Sequence, residues 1–86
     1  MFVIMGRKAK YGIVYADIIQ DPGLSVTAKA LYALLATFAN KQRECFPSIT
    51  HLSELLSVSR RTVERSIKEL KSNGYITKEG KVFTLN

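Results

Sequence analysis

The chain has no tryptophan, one cysteine, one histidine and two prolines among its 86 residues. A lone cysteine excludes an internal disulfide, and Cys45 with His51 cannot build a metal site of ordinary ligand number within one chain. Cys45 therefore reads as a small, partly buried apolar residue of an intracellular protein, and His51 as a surface residue in the first turn of a helix. No apolar run approaches the roughly 20 residues of a membrane-spanning helix. Residues 1–5 are too short for a signal-peptide core and precede the nearest positive charges instead of following them. A cytoplasmic protein without a membrane partner is expected. Nucleophile–base pairs and phosphate-cradling glycine loops are also missing, so the sequence points to no enzyme and calls for no metal or other cofactor.

Acidic residues are scarce as well: thirteen Lys and Arg face seven Asp and Glu, a net charge of +6. Such a surplus favours a polyanionic partner, and its distribution says more than its total. Residues 60–81 hold seven basic against three acidic residues, residues 1–10 hold Arg7, Lys8 and Lys10 with no acid, and residues 11–59 hold three basic against four acidic. The positive charge lies at the two ends. The length allows one domain with a single core, and no repeat or linker divides it. Residues 11–86 read as that domain, with residues 1–10 as an N-terminal basic arm or edge strand.

What the sequence does contain is a helix with two distinct faces. Residues 52–70 read as two helices joined by a tight turn, the second running from about residue 60 to 73. At about 100° per residue, Ile67 and Leu70 fall within roughly 40° of Val63, whereas Arg61, Arg65, Lys68 and Ser72 cluster about 140° to 200° away. Ser59 is placed to cap this helix and Asn73-Gly74 to stop it. Earlier in the chain, Tyr11 to Tyr15 is β-prone, Asp17-Ile-Ile reads as one helical turn, and Asp21-Pro-Gly23 breaks it. Ser25 caps a scaffold helix reaching about Asn40, whose apolar face is Ala28, Leu31, Leu34, Leu35, Phe38 and Ala39. A polar loop, residues 41–44, leads to Phe46-Pro47, a short extended piece because the residue before proline is pushed out of helical space. Ser48 caps the next helix, with Ile49, Leu52, Leu55 and Leu56 facing inward. Beyond Gly74, the runs 75–78 and 82–85 form a hairpin around a turn containing Glu79-Gly80.

Four segments carry a family resemblance: Leu24-Ser-Val-Thr-Ala-Lys-Ala-Leu-Tyr32, Phe46-Pro-Ser48, Leu55-Leu-Ser-Val-Ser-Arg-Arg-Thr-Val63 and Glu69-Leu-Lys-Ser-Asn-Gly-Tyr-Ile76. In this order the chain resembles a winged helix-turn-helix DNA-binding domain, and is similar in particular to those of phage and plasmid replication proteins and replisome organisers. The resemblance implies an α+β, mainly α fold: a three-helix core, a C-terminal β-hairpin wing and a short N-terminal strand or arm. It also implies double-stranded DNA as partner, with the third helix in the major groove and the wing against the neighbouring backbone or minor groove. Two positions depart from the motif. Ser53 stands where alanine is usual at the close approach of the two helices, and Ser57 where glycine is usual in the turn.

Recognition helices read base edges mainly from their N-terminal half. Arg61 and Arg65 are the candidates for base readout, since a guanidinium can donate two parallel hydrogen bonds to guanine. Arg60, nearer the core side, is expected on phosphate, Thr62 on a thymine methyl or a phosphate, and Lys68 on backbone or a base edge. Ser48 and Ser59 open helices whose free amides suit phosphate oxygens, with Thr50 adding a hydroxyl. Lys78 and Lys81 flank the wing turn, and Arg7, Lys8 and Lys10 form a candidate DNA-binding arm. The plainer reading of the same charges is a solvated face, in which Glu64 and Glu69 pair with Lys68, Arg65 or Arg60.

The expected function is sequence-specific binding of double-stranded DNA by a small transcriptional regulator, or by a replication or partition factor of a phage or plasmid, associated with nucleoid or plasmid. A homodimer is expected because one small domain makes few base contacts. The alternative is a winged-helix interaction module that docks a replication or transcription protein partner.

Overall fold

Three serines, each just ahead of an apolar periodic run, start the three long helices. Ser25, Ser48 and Ser59 all have extended backbone, and each Oγ accepts a 3.1 Å hydrogen bond from the N–H three residues on, those of Ala28, His51 and Thr62. Each cap satisfies an amide that has no partner within the helix, a contribution of about 1 kcal/mol. The computed structural model describes residues 2–7 and 10–86, with side chains from residue 12 onward. Its elements are β1 (Phe2–Arg7), β2 (Lys10–Tyr15), α1 (Ala16–Ile19), α2 (Val26–Phe38), β3 (Glu44–Cys45), α3 (Ile49–Leu56), α4 (Arg60–Ser72), β4 (Ile76–Glu79) and β5 (Val82–Leu85).

The stops are as local as the starts. Gly74 has φ +79°, and around it the N–H groups of Gly74 and Tyr75 return to the carbonyls of Lys71 and Leu70. That pair of reversed bonds closes α4 as a Schellman motif. The same pattern ends α3, where Ser57 and Val58 donate to the Glu54 and Ser53 carbonyls and Ser57 adopts φ +58°. The glycine-preferring turn position is thus occupied by serine, at a cost of about 1 kcal/mol.

α2 is the centre of the core. Its Ala28, Leu31, Tyr32 and Leu35 are fully buried, among Val14, Leu52, Val63, Leu70 and Phe83. β2 and α4 both pack against it. At Gly12 the β2 backbone lies directly on the helix: a Cβ there would stand 2.5 Å from the Ala36 carbonyl carbon. Leu34 and Phe38 are only partly buried, and the helix ends at Phe38, with Ala39 already extended.

The strands form two antiparallel sheets. In the first, β1 pairs with β2 from Phe2 opposite Tyr15 to Arg7 opposite Lys10. Gly6 and Arg7 continue β1 and Lys10 opens β2, so only residues 8 and 9, outside the described residues, separate the strands. The second sheet has the order β3-β5-β4, so the C-terminal hairpin gains a third strand. Glu79 pairs with Val82 across Gly80 and Lys81, with Gly80 at φ +59°. Glycine at the first central position suits a two-residue hairpin turn. This small α+β fold, with four helices among the described residues and a three-stranded sheet containing the C-terminal hairpin, is that of a winged helix.

Two sequence expectations are corrected. The extended piece ahead of α3 is expected at Phe46-Pro47, but the paired strand is Glu44–Cys45, with Cys45 opposite Phe83. Alternation along the strand turns Cys45 into the core and leaves Phe46 68% exposed. On α3, Leu55 is expected inward but is half exposed, whereas Ser53 is buried. With Leu52 taken as zero, Ile49, Leu56 and Ser53 lie at about 60°, 40° and 100° and Leu55 at about −60°, so burial of Ser53 rotates the inward face away from Leu55. Ser53 tolerates burial because its hydroxyl donates a 2.8 Å bond to the Thr50 carbonyl.

Candidate nucleic-acid interface

The face of α4 opposite its buried stripe is cationic. Val63, Ser66, Ile67 and Leu70 are buried, and Arg60, Arg61, Arg65 and Lys68 are exposed. Of the two acids that the solvated-face reading pairs with them, Glu64 is exposed on the same helix and Glu69 is engaged elsewhere. Its carboxylate instead accepts hydrogen bonds from the backbone N–H and the hydroxyl of Ser25, at 2.5 and 3.0 Å. The acid therefore anchors α4 to the start of α2.

Arg60 turns toward the wing. It lines a groove of about 440 Å³ together with Phe46, Pro47, Ser48, Ile49, Thr50, Lys78, Lys81 and Phe83. Five expected contact residues, Ser48, Thr50, Arg60, Lys78 and Lys81, thus come together from three separate parts of the chain. Arg61, Arg65 and Lys68 are not in the groove; they occupy the exposed face of α4. Ser59 and Thr62 hold the first turn of that helix, and their hydroxyl oxygens lie 2.9 Å apart, within hydrogen-bond distance. Lys8 lies outside the described residues, as do the side chains of Arg7 and Lys10.

The two wing lysines differ. Lys81 is exposed at the turn, whereas Lys78 is half-buried, donates a 2.7 Å bond from Nζ to the Gly80 carbonyl and sits 5.5 Å from the Phe83 ring centroid. Lys78 therefore braces the turn that presents Lys81. Phe46 is a groove residue that sequence reasoning does not single out. The one local signal beside it is Pro47, which keeps Phe46 out of helical space.

Neither Cys45 nor His51 joins the groove. Burial pushes the Cys45 thiol up to about 11, which keeps it protonated and unreactive near neutrality. His51 is exposed and its ring lies 5.9 Å from that of Phe38. Among the described residues no cluster of His, Cys, Asp and Glu could hold a metal ion, and no helix is long and apolar enough to cross a membrane.

The family model described as a helix-turn-helix domain matches residues 23–76. The chain belongs to this family. No curated protein and no solved structure matches it. The helix-turn-helix match runs from just ahead of α2 to the first residue of β4, so it contains α3, the turn at Ser57 and α4. Such domains bind DNA through the second helix of the motif, which here is α4, and the family is generally non-enzymatic.

Proposed function

We propose that this helix-turn-helix domain binds double-stranded DNA sequence-specifically, as a small transcriptional regulator or as a replication or partition factor of a phage or plasmid. The observation that carries the reading is the two-faced α4: a buried stripe of Val63, Ile67 and Leu70 backs an exposed row of Arg61, Arg65 and Lys68. Arg61 and Arg65 read base edges from the major groove, each well-placed guanidinium giving about 1 to 3 kcal/mol of discrimination. Lys68 follows on backbone or a base edge. Arg60 and Lys81 take phosphates on either side of the groove, and the α3 and α4 amino-terminal amides behind Ser48 and Ser59 take others, with Thr50 and Thr62 beside them. Lys78 supports the wing in the same complex, and Arg7, Lys8 and Lys10 act as a DNA-binding arm.

The domain acts as a homodimer in the cytoplasm, on nucleoid or plasmid DNA. Two copies double the number of base contacts, and the strand β1 at the edge of its two-stranded sheet supports pairing between copies.

Titration of duplex DNA over a range of salt concentrations tests the reading, followed by selection of bound sequences from a random duplex pool. Expected are salt-dependent binding, a consensus with two half-sites, and its loss in the double variant Arg61→Ala, Arg65→Ala. Binding that is indifferent to salt, or unchanged in the double variant, would refute it.

A further inference from the structure

Phe46 stands in the groove without a place in the core. Its ring is 68% exposed, although it is among the largest apolar side chains of the chain. Its backbone is held on both sides. Cys45 before it is buried and paired with Phe83 of β5, and Pro47 and Ser48 after it lead into the capped start of α3. The ring is therefore presented by a fixed strand end, beside a groove whose lining includes three basic residues, Arg60, Lys78 and Lys81, and no acidic one.

A ligand for this groove needs negative charge and an apolar surface side by side. A nucleic-acid strand has that alternation, phosphate then sugar, at every step. Arg60, which lines the groove, immediately precedes Arg61, the first of the exposed basic row of α4, so the groove adjoins that row at the start of the helix. That adjacency to the basic row of a helix-turn-helix motif favours DNA over an acidic peptide.

We infer that Phe46 is itself a DNA contact, its ring lying against a deoxyribose of the strand whose phosphates run between Arg60 and Lys81. The inference rests on the DNA-binding reading above. In it, the ring fixes the register of the backbone along the groove through an apolar contact, which adds affinity without releasing counterions. Phe46 acts as a positioning residue for the base contacts of α4.

The test compares wild type, Phe46→Ala and Phe46→Trp on a labelled mixed-sequence duplex at several salt concentrations. Phe46→Ala should weaken binding about tenfold at every salt concentration with the salt slope unchanged, as expected for loss of part of a phenylalanine burial and no phosphate contact. The chain has no tryptophan of its own, so Phe46→Trp introduces a single reporter. Its emission should move to the blue when duplex is added, with little quenching. Strong quenching would mean stacking on a base and would overturn the sugar contact. Wild-type affinity of Phe46→Ala at every salt concentration, or an emission indifferent to duplex, would overturn the inference and leave the DNA reading standing. Loss of wild-type binding to any duplex would instead remove the DNA reading itself. Were Phe46→Ala to bind duplex normally and fail only on an acidic peptide such as polyglutamate, the groove would be a peptide site.

Discussion

The Tyr75 hydroxyl donates a 2.6 Å hydrogen bond to Asp21 Oδ2, across 54 positions of sequence. The bond ties the loop ahead of α2 to the residue that follows the α4 stop. The Tyr75 bond, reinforced by the Gly23 amide, holds the Asp21 carboxyl below its ordinary value. The same bond, with burial, pushes the Tyr75 phenol up to about 12.

These two shifts predict stability losses at both ends of the pH scale. A lowered carboxyl contributes stability above its ordinary range, and the contribution disappears as pH falls through the folded value. A raised phenol contributes below its ordinary value near 10.0, and that contribution disappears as pH rises toward about 12. Tyr75→Phe should therefore melt at a lower temperature near neutrality and approach wild type in acid and in strong alkali. Thermal melts across that pH range measure it, and parallel curves for the two proteins would contradict it.

Ser57→Gly should stabilise the fold by about 1 kcal/mol, because glycine enters the left-handed region without the steric cost a serine side chain bears. The position has φ +58° and is exposed, so no packing is lost. Urea denaturation should show a higher midpoint with an unchanged slope.

Gly12→Ala should destabilise by about 3 kcal/mol, the upper end of what overpacking costs. The added methyl would meet the carbonyl carbon of Ala36 at 2.5 Å and its oxygen at 2.7 Å, and backbone of a central helix cannot swing aside as a side chain can. A drop in urea midpoint is the readout; a stability equal to wild type would mean that β2 can lift from α2.

The wing lysines should separate in a salt titration with duplex DNA. Lys81→Ala should lower the slope of binding against salt by about one phosphate contact. Lys78→Ala should change the slope less, since its ammonium already binds the Gly80 carbonyl, and should instead loosen the turn. Equal slope changes in the two variants would count against a bracing role for Lys78.

Features governed by near neighbours along the chain are legible in the amino-acid order alone. Each serine cap, the stops at Gly74 and Ser57, and the opposed faces of α4 depend on residues within one or two turns of each other. Sequence reasoning fails where a distant partner decides. Leu55 and Ser53 exchange places because of how α3 meets α4, and Glu69 leaves its helical neighbours for Ser25, 44 positions away. The strand at Glu44–Cys45 exists through its pairing with β5, which no local propensity announces.

The sequence by itself therefore determined the three capped helices, the helix-turn-helix order and which residues of α4 face outward, since helical period and capping are local physics. Only the tertiary structure decided that Arg60 shares a groove with Lys78, Lys81, Ser48 and an exposed Phe46. Those residues stand in different elements, and their meeting depends on how α3, α4 and the sheet pack around α2, which no period in the sequence encodes.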